Sequence, residues 1–435
     1  MKLHPYQERG IAFLRPRKFA LLADEMGLGK SAQAIRAAPP GPILVICPAI
    51  ARTQWATEWA RWSTRKTQVL LSTNVALPVS RDVVICSYAA LQSKRFMHWV
   101  RQRAWSLAIV DECHYAKEVT AQRTKAIYGK EGIGWCATRL WALSGTPAPN
   151  HAGELWPMLY AFSATHLTYK AFLDRYCNVT PEGRVVGTKA AIIPELRQIL
   201  DKVMLRRKKA EVLKDLPPIS FHEVFVEAGD ARVAAFLPGE DEGQLQLGEG
   251  ALKSGLSDAG PDHQAEYLGL VAANTGNVRR YMALRKVEPV LEMILAELDA
   301  KLYERIIVFG HHVDPLQWLS ASLRHAGVTT ELVQGRTTPA MRDAAVARFQ
   351  AGRSQVFIAN IVAAGTAINL TAAHNVLFLE QSWVPGENMQ AAMRAHRHGQ
   401  DRPVFVRIAM IKGSVDEDIQ RVLLRKGKEL ARLFR

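Results

Sequence analysis

Several features are scarce in this 435-residue chain, and each scarcity removes a class of protein. Cysteine is sparse: five residues stand at 47, 86, 113, 136 and 177, and none makes a Cys-x-x-Cys pair. That spacing offers neither zinc-ligand pairs nor a disulfide framework, and an odd set of isolated thiols suits a reducing compartment. No apolar run approaches the ~20 residues that span a bilayer. The opening MKLHPYQERG lacks the apolar core of a secretory signal. Acidic residues are in deficit, 41 against 56 Lys and Arg, which leaves a formal charge of +15. Such a surface attracts phosphate backbones over long range, so a polyanionic partner is expected and a membrane is not. No internal repeat of solenoid period is present.

What remains is the profile of a globular protein, 48% hydrophobic and 22% charged, with length for two or three domains. Short apolar runs alternate with helical patterns. FALLAD (19–24), ILVICP (43–48), VVICSY (83–88), LAIVDE (107–112) and RLWALSGT (139–146) read as buried parallel strands. The alternation returns in RIIVFG (305–310), VTTELVQG (328–335), SQVFIAN (354–360), NVLFLE (375–380) and PVFVRIAM (403–410). The expected fold is α/β, with two doubly wound parallel-sheet lobes in tandem, a helical linker and a C-terminal helix. The expected division is 1–217, 218–284 and 285–435. Within the linker, 229–265 is rich in Gly, Asp and Glu and reads as a flexible insertion, whereas 265–300 reads as helical. DEDIQRVLLRKGKELARLFR, at the end, reads as a basic amphipathic helix.

Two segments carry chemistry. The first strand runs into EMGLGKS and then a helix. Gly27 and Gly29 permit a turn whose amides face an anion, Lys30 would reach β- and γ-phosphates, and Ser31 would offer a hydroxyl to Mg²⁺. Asp24 stands where the general phosphate-loop pattern has its first glycine, and a glycine turn before an ordinary helix is the plainer alternative. The second segment, LAIVDECH, is an apolar strand ending in two carboxylates. Asp111 suits a metal ligand, Glu112 the activation of an attacking water, and His114 a link to neighbouring segments. Arg394 and Arg397 lie three apart and would share a helix face. His311 and His312 lack further ligands at metal spacing, and EGIGW (131–135) reads as a turn.

Taken in order, these segments resemble the Swi/Snf-type DNA translocases of helicase superfamily two, from residue 3 to about 425. LHPYQERG resembles the family's glutamine motif, which would make Gln7 an adenine reader. DEMGLGKS, with Asp24, Glu25, Met26 and Leu28, resembles the family's own nucleotide loop. DECH resembles its DEAH box, with Cys113 for Ala. LSGTPAPN, with Ser144 and Thr146, resembles its coupling motif. QAAMRAHRHGQ (390–400) resembles its arginine-finger motif, with Gln390 as a coupling residue and Arg394 and Arg397 as fingers. MLRRKKAEVLKDLPP (204–218) resembles the basic exit from lobe one. AAGTAINL (363–370) departs from the family's glycine-rich run at Ala364, Gly365 and Ala367 while keeping Asn369.

The resemblance implies RecA-like lobes with ATP and Mg²⁺ between them, and a monomeric motor on double-stranded DNA. Backbone contact is expected from Arg52, Thr53, Gln54, Ser87, Tyr88, Arg123, Thr124 and Lys125. A strand-separating DNA or RNA helicase and a non-hydrolysing nucleic-acid scaffold are the competing readings. The bare size suggests the cytoplasm of a bacterium or a phage-infected cell.

Overall fold

The computed structural model describes residues 3–72, 82–228, 275–364, 368–397 and 399–434. The expected insertion at 229–265, the start of the expected helical stretch, and Gly365 and Ala367 lie outside the described residues.

Two compact units divide the chain, one of Met1–Asp215 with Lys426–Arg435 and one of Leu216–Arg425. The first unit holds a seven-stranded sheet of order β3-β4-β2-β5-β6-β1-β9. Its strands are β1 (Phe19–Leu22), β2 (Ile43–Cys47), β3 (Thr67–Val69), β4 (Val83–Ser87), β5 (Leu107–Asp111), β6 (Leu140–Leu143) and β9 (Met204–Leu205). Every pairing in it is parallel. Helices cover both faces, so β2 and β4 are buried at every position, which is why they read as unbroken apolar runs. Two clusters form the two halves of this core, one containing Trp59 and Trp141 and one containing Trp105, Phe96 and Phe172. A small antiparallel ribbon, β7 (Cys177–Val179) and β8 (Val185–Thr188), stands apart from the main sheet.

The second unit holds a six-stranded, all-parallel sheet of order β10-β15-β14-β11-β13-β12. These are β10 (Ile219–Val226), β11 (Ile306–Gly310), β12 (Thr330–Val333), β13 (Val356–Asn360), β14 (Asn375–Phe378) and β15 (Val404–Ile411). All ten strands expected from the apolar runs are present, and both sheets are the expected parallel α/β type.

Three details differ from the reading of the sequence. ISFHEVFV, read as the start of a linker, is the edge strand β10. Its outer positions stay exposed, so it lacks the apolar run of a central strand. EGIGW enters a short helix at Ile133–Cys136 instead of remaining a turn. The C-terminal helix Val415–Leu433 forms, but its residues from Lys426 onward cluster with the first unit, where Leu433 and Phe434 are buried.

Candidate active site

Strand register assembles the site. Asp111 of β5, Leu143 of β6, Leu22 of β1 and Leu205 of β9 form one row across the sheet. Whatever follows each strand therefore collects along one edge, the carboxyl edge at which parallel α/β sheets bind ligands. Four segments distant in sequence meet there: 23–31, 112–114, 144–146 and 206–209.

After β1 the chain turns through Gly27 (φ 85°) and Gly29 (φ 72°), both in the left-handed region that favours glycine. Gly29 has a second constraint, since a Cβ there would lie 2.4 Å from Gln7 Nε2. Gly29 is also the N-cap of helix Lys30–Ala37 and supplies no capping side chain. The amides of the first turn thus face outward at the positive end of the helix, an anion cradle. Lys30 Nζ donates to the Asp24 carbonyl at 2.8 Å. Burial lowers the Lys30 pKa, while the nearby carboxylates of Glu112, Asp24 and Asp111 oppose the shift. Ser31 follows in the same turn, half-buried.

Not every loop residue faces the cradle. The Asp24 carboxylate, fully buried, accepts from Arg207 Nε at 2.8 Å, from Arg207 Nη2, and from Gln33 Nε2 at 3.0 Å. The Glu25 carboxylate accepts from the Lys209 amide at 2.6 Å. These two carboxylates secure the loop and are not aimed at a nucleotide. Leu28 is buried, and Met26 packs where a Cβ on Gly145 would come within 2.8 Å of its Cγ. Gln7 accepts from the His4 amide at 3.0 Å and donates to the Leu28 carbonyl at 3.4 Å, so it ties the first helix to the loop.

The acidic strand end lies alongside. Asp111 Oδ2 accepts from the Trp55 indole at 2.7 Å. Burial, and then the neighbouring Glu112, push the Asp111 pKa up to about 7, with Trp55 and Lys30 pulling the other way. Glu112 sits at φ 50°, ψ 54°, a left-handed backbone rare for a side chain of its kind. The Tyr88 hydroxyl donates to the carbonyls of Asp111 (2.7 Å) and Glu112 (3.1 Å) and holds that turn. His114 Nδ1 lies 3.0 Å from Ser144 Oγ and 3.4 Å from Glu112 Oε2. Ser144 in turn lies 3.5 Å from Glu112 Oε2 and accepts from the Thr146 amide at 3.1 Å. Arg206 Nη1 donates to the carbonyls of Ala23 and Gly145, 3.0 Å each, and pins the phosphate loop to the Ser-Gly-Thr turn.

In the second unit, helix Pro385–Ala392 stops before both expected fingers. Arg394 and Ala395 bond back three residues, to Ala391 and Ala392, so the chain tightens and the two arginines occupy a turn instead of one helix face. Gln400 fixes that turn by donating to the carbonyls of Thr371, Ala373 and Ala395. Arg394 is buried, and Arg397 donates to the Ile368 carbonyl at 2.8 Å. Burial lowers the Arg397 pKa. Gln390 is buried in the preceding helix. His311 and His312 flank a buried carboxylate, Glu380, which accepts from both of their amides and from His312 Nδ1.

The eight residues expected on a backbone track divide. Thr53, Gln54, Arg123 and Lys125 are exposed. Arg52 donates to the carbonyls of Ala49, Leu70 and Leu71, which commits it to the protein's own backbone. Ser87, Tyr88 and Thr124 are buried and do not present a surface. Reading by sequence also missed Arg207, Gln33 and Trp55. The basic run at 204–218 hinted at Arg207, but nothing local marks the other two.

A glycine-lysine-serine cradle beside an acidic strand end, on the carboxyl edge of a parallel sheet, defines the phosphate-loop class of α/β proteins. Residues 6–237 match the SNF2-related domain, and residues 285–399 match the helicase conserved C-terminal domain. The chain belongs to the SNF2 family. It is 30% identical to mouse "DNA annealing helicase and endonuclease ZRANB3" over 98% of this chain and 40% of that protein. It is 30% identical to the Caenorhabditis elegans homolog of SWI/SNF-related matrix-associated actin-dependent regulator of chromatin subfamily A-like protein 1, over 96% of this chain and 59% of that one. A Sulfolobus solfataricus SWI2/SNF2 ATPase core solved in complex with dsDNA matches at TM-score 0.46 and 23% identity, over 98% of this chain and 92% of that one. The chain thus spans about two fifths of the length of the mouse relative. No described helix is long and apolar enough to cross a membrane.

Proposed function

We propose that this chain is an ATP-driven motor that moves along double-stranded DNA. The observation that carries the reading is the meeting of Lys30, Asp111 and Glu112 at one sheet edge, where Lys30 and Asp111 each sense the other's charge and that of Glu112. The first-turn amides and Lys30 hold the β- and γ-phosphates. Glu112, steadied by Ser144 and His114, orients the attacking water and takes its proton. Asp111 lies beside Glu112, and burial first and the neighbouring carboxylate second raise its pKa; a divalent cation fits beside this pair of carboxylates. The described residues hold no cluster of three or more His, Cys, Asp or Glu able to bind a metal alone. Magnesium suits this limited set, since it takes remaining ligands from phosphate and water. Asp111 and Ser31 would hold it, and when bound it neutralises phosphate charge. Arg394 and Arg397 of the second unit are the proposed arginine fingers, a role worth about 10³–10⁵ in rate.

Double-stranded DNA as the track rests on the net charge of +15 and on the exposed Arg123 and Lys125. Contacts to phosphate do not read sequence, so binding is non-specific and weakens steeply with salt. The test measures ATP turnover with no nucleic acid, single strands, duplex, forks and RNA, at two salt concentrations. Duplex DNA is expected to stimulate most, less so at high salt, and Lys30→Ala to abolish turnover. Equal turnover with and without DNA, or full activity in Lys30→Ala, refutes the motor.

A further inference from the structure

Away from the phosphate edge, the first unit carries a surface hollow of about 430 Å³ with largely apolar walls. Trp156, Tyr160, Tyr169 and Tyr128 line it together with Lys125 and Lys130, and none of its lining residues is acidic. Trp156 stacks on Tyr160 with centroids 5.0 Å apart and meets Tyr169 at 5.3 Å. The Trp156 indole donates to the Leu167 carbonyl at 2.8 Å, which fixes the ring. Tyr160 remains 43% exposed. Thr124, which also lines the cavity, is buried, and its hydroxyl has no hydrogen-bond partner among the described residues.

A second hollow of about 940 Å³ adjoins this one and shares Lys125, Gly129 and Lys130 with it. Lys94, His98 and Arg101 lie along its walls together with Glu131, which pairs with Arg101 at 3.9 Å. A groove in which basic side chains outnumber the single acidic one thus leads to rigid aromatic faces, the combination by which proteins hold a strand's phosphates while its bases stack on rings. A hollow of about 430 Å³ falls within the size range of small-ligand sites.

We propose that the cavity captures one unstacked nucleobase of a single-stranded DNA segment, while Lys125 and Lys130 hold the adjoining phosphates. This rests on the reading of the chain as a DNA motor and adds a preference for DNA with an unpaired stretch. Capture also reaches the phosphate edge. Tyr128 shares a hydrophobic cluster with Cys113 and Tyr88, and helix Gln122–Tyr128 packs on the turn Cys113–Ala116. A base in the cavity bears on the helix that backs the acidic box.

The test measures binding of the full chain, by fluorescence anisotropy, to a dye-labelled single strand, to the same strand made abasic, and to a blunt duplex. The intact strand is expected to bind about fivefold or more tighter than the abasic one, the low end of what base–aromatic stacking supplies. Tyr160→Ala should remove that difference, Tyr160→Phe should retain it, and duplex affinity should be unchanged in both. Equal binding of intact and abasic strands by the unmodified protein overturns the proposal. So does a Tyr160→Ala effect as large on duplex as on the strand, or Tyr160-dependent capture of an acidic, tryptophan-bearing peptide in place of DNA. Strand binding without any duplex binding would refute the motor reading and leave this one standing.

Discussion

Removing the Arg207 guanidinium tests whether the nucleotide loop is held from behind. Arg207 and Asp24 form an ion pair with side chains 10% and 0% exposed. The same guanidinium also donates to the Tyr6 carbonyl and to Gln33 Oε1. Arg207→Ala leaves a fully buried carboxylate with Gln33 as its remaining side-chain donor among the described residues. Breaking a buried pair from one side costs about 3–5 kcal/mol. In a unit of this size each kcal/mol moves the melting temperature by roughly 2–4 °C, so the first transition should fall by about 6–20 °C. Neutralising both partners, Asp24→Asn with Arg207→Ala, removes the stranded charge and should recover at least ~2 kcal/mol, a coupling within the range seen for contacting residues. Circular dichroism melts of the unmodified protein, Arg207→Ala, Asp24→Asn and the double variant give this cycle, and ATP titrations should show weaker binding in Arg207→Ala, because Lys30 leans on the Asp24 carbonyl. A drop under about 2 °C, or a double variant as unstable as the single one, refutes the reasoning.

Glu112→Gln should keep ATP binding and lower turnover about 10²–10⁴-fold, read by parallel titration and phosphate release. Trp55→Phe removes the indole from Asp111 and should raise the magnesium concentration for half-maximal turnover by about 10–100-fold. Gly29→Ala costs about 1–2 kcal/mol for its left-handed backbone and drives a methyl into Gln7. ATP affinity should fall accordingly, and adding Gln7→Ala should relieve part of the loss. In the second unit, burial raises the Glu380 pKa, but hydrogen bonds from His312 and the Arg279 charge outweigh it and leave the pKa lowered. That stability is present above the ordinary carboxylate pKa of about 4.3 and is lost as pH falls below it. Acid melts should therefore show Glu380→Gln as the flatter curve, and identical curves would contradict the assignment.

The strands were legible because both sheets are covered on both faces, so ILVIC and VVICS have no polar side to interrupt them. The Gly-Lys-Ser turn and the Asp-Glu strand end were legible for another reason: their chemistry needs particular side chains at fixed local spacing. What stayed hidden is long-range or depends on burial. Arg207 finds Asp24 across 183 residues, and no local pattern announces the pairing. Tyr88 and Thr124 look like polar surface in sequence, yet one is consumed by strand-end carbonyls and the other lies in a wall. The finger arginines keep helical spacing on paper, but three-residue back-bonding ends the helix at Ala392 first. The edge strand β10 was missed because half its positions are exposed and Ser220, His222 and Glu223 break any apolar run.

The backbone at Glu112 sets durability against work. Asparagine or glycine would rest more comfortably at its left-handed angles, and both would delete the carboxylate. A library of this protein screened only for heat resistance should therefore accumulate those replacements at position 112 and yield robust molecules that no longer turn over. Screening for turnover should restore glutamate there and accept the strained turn that comes with it.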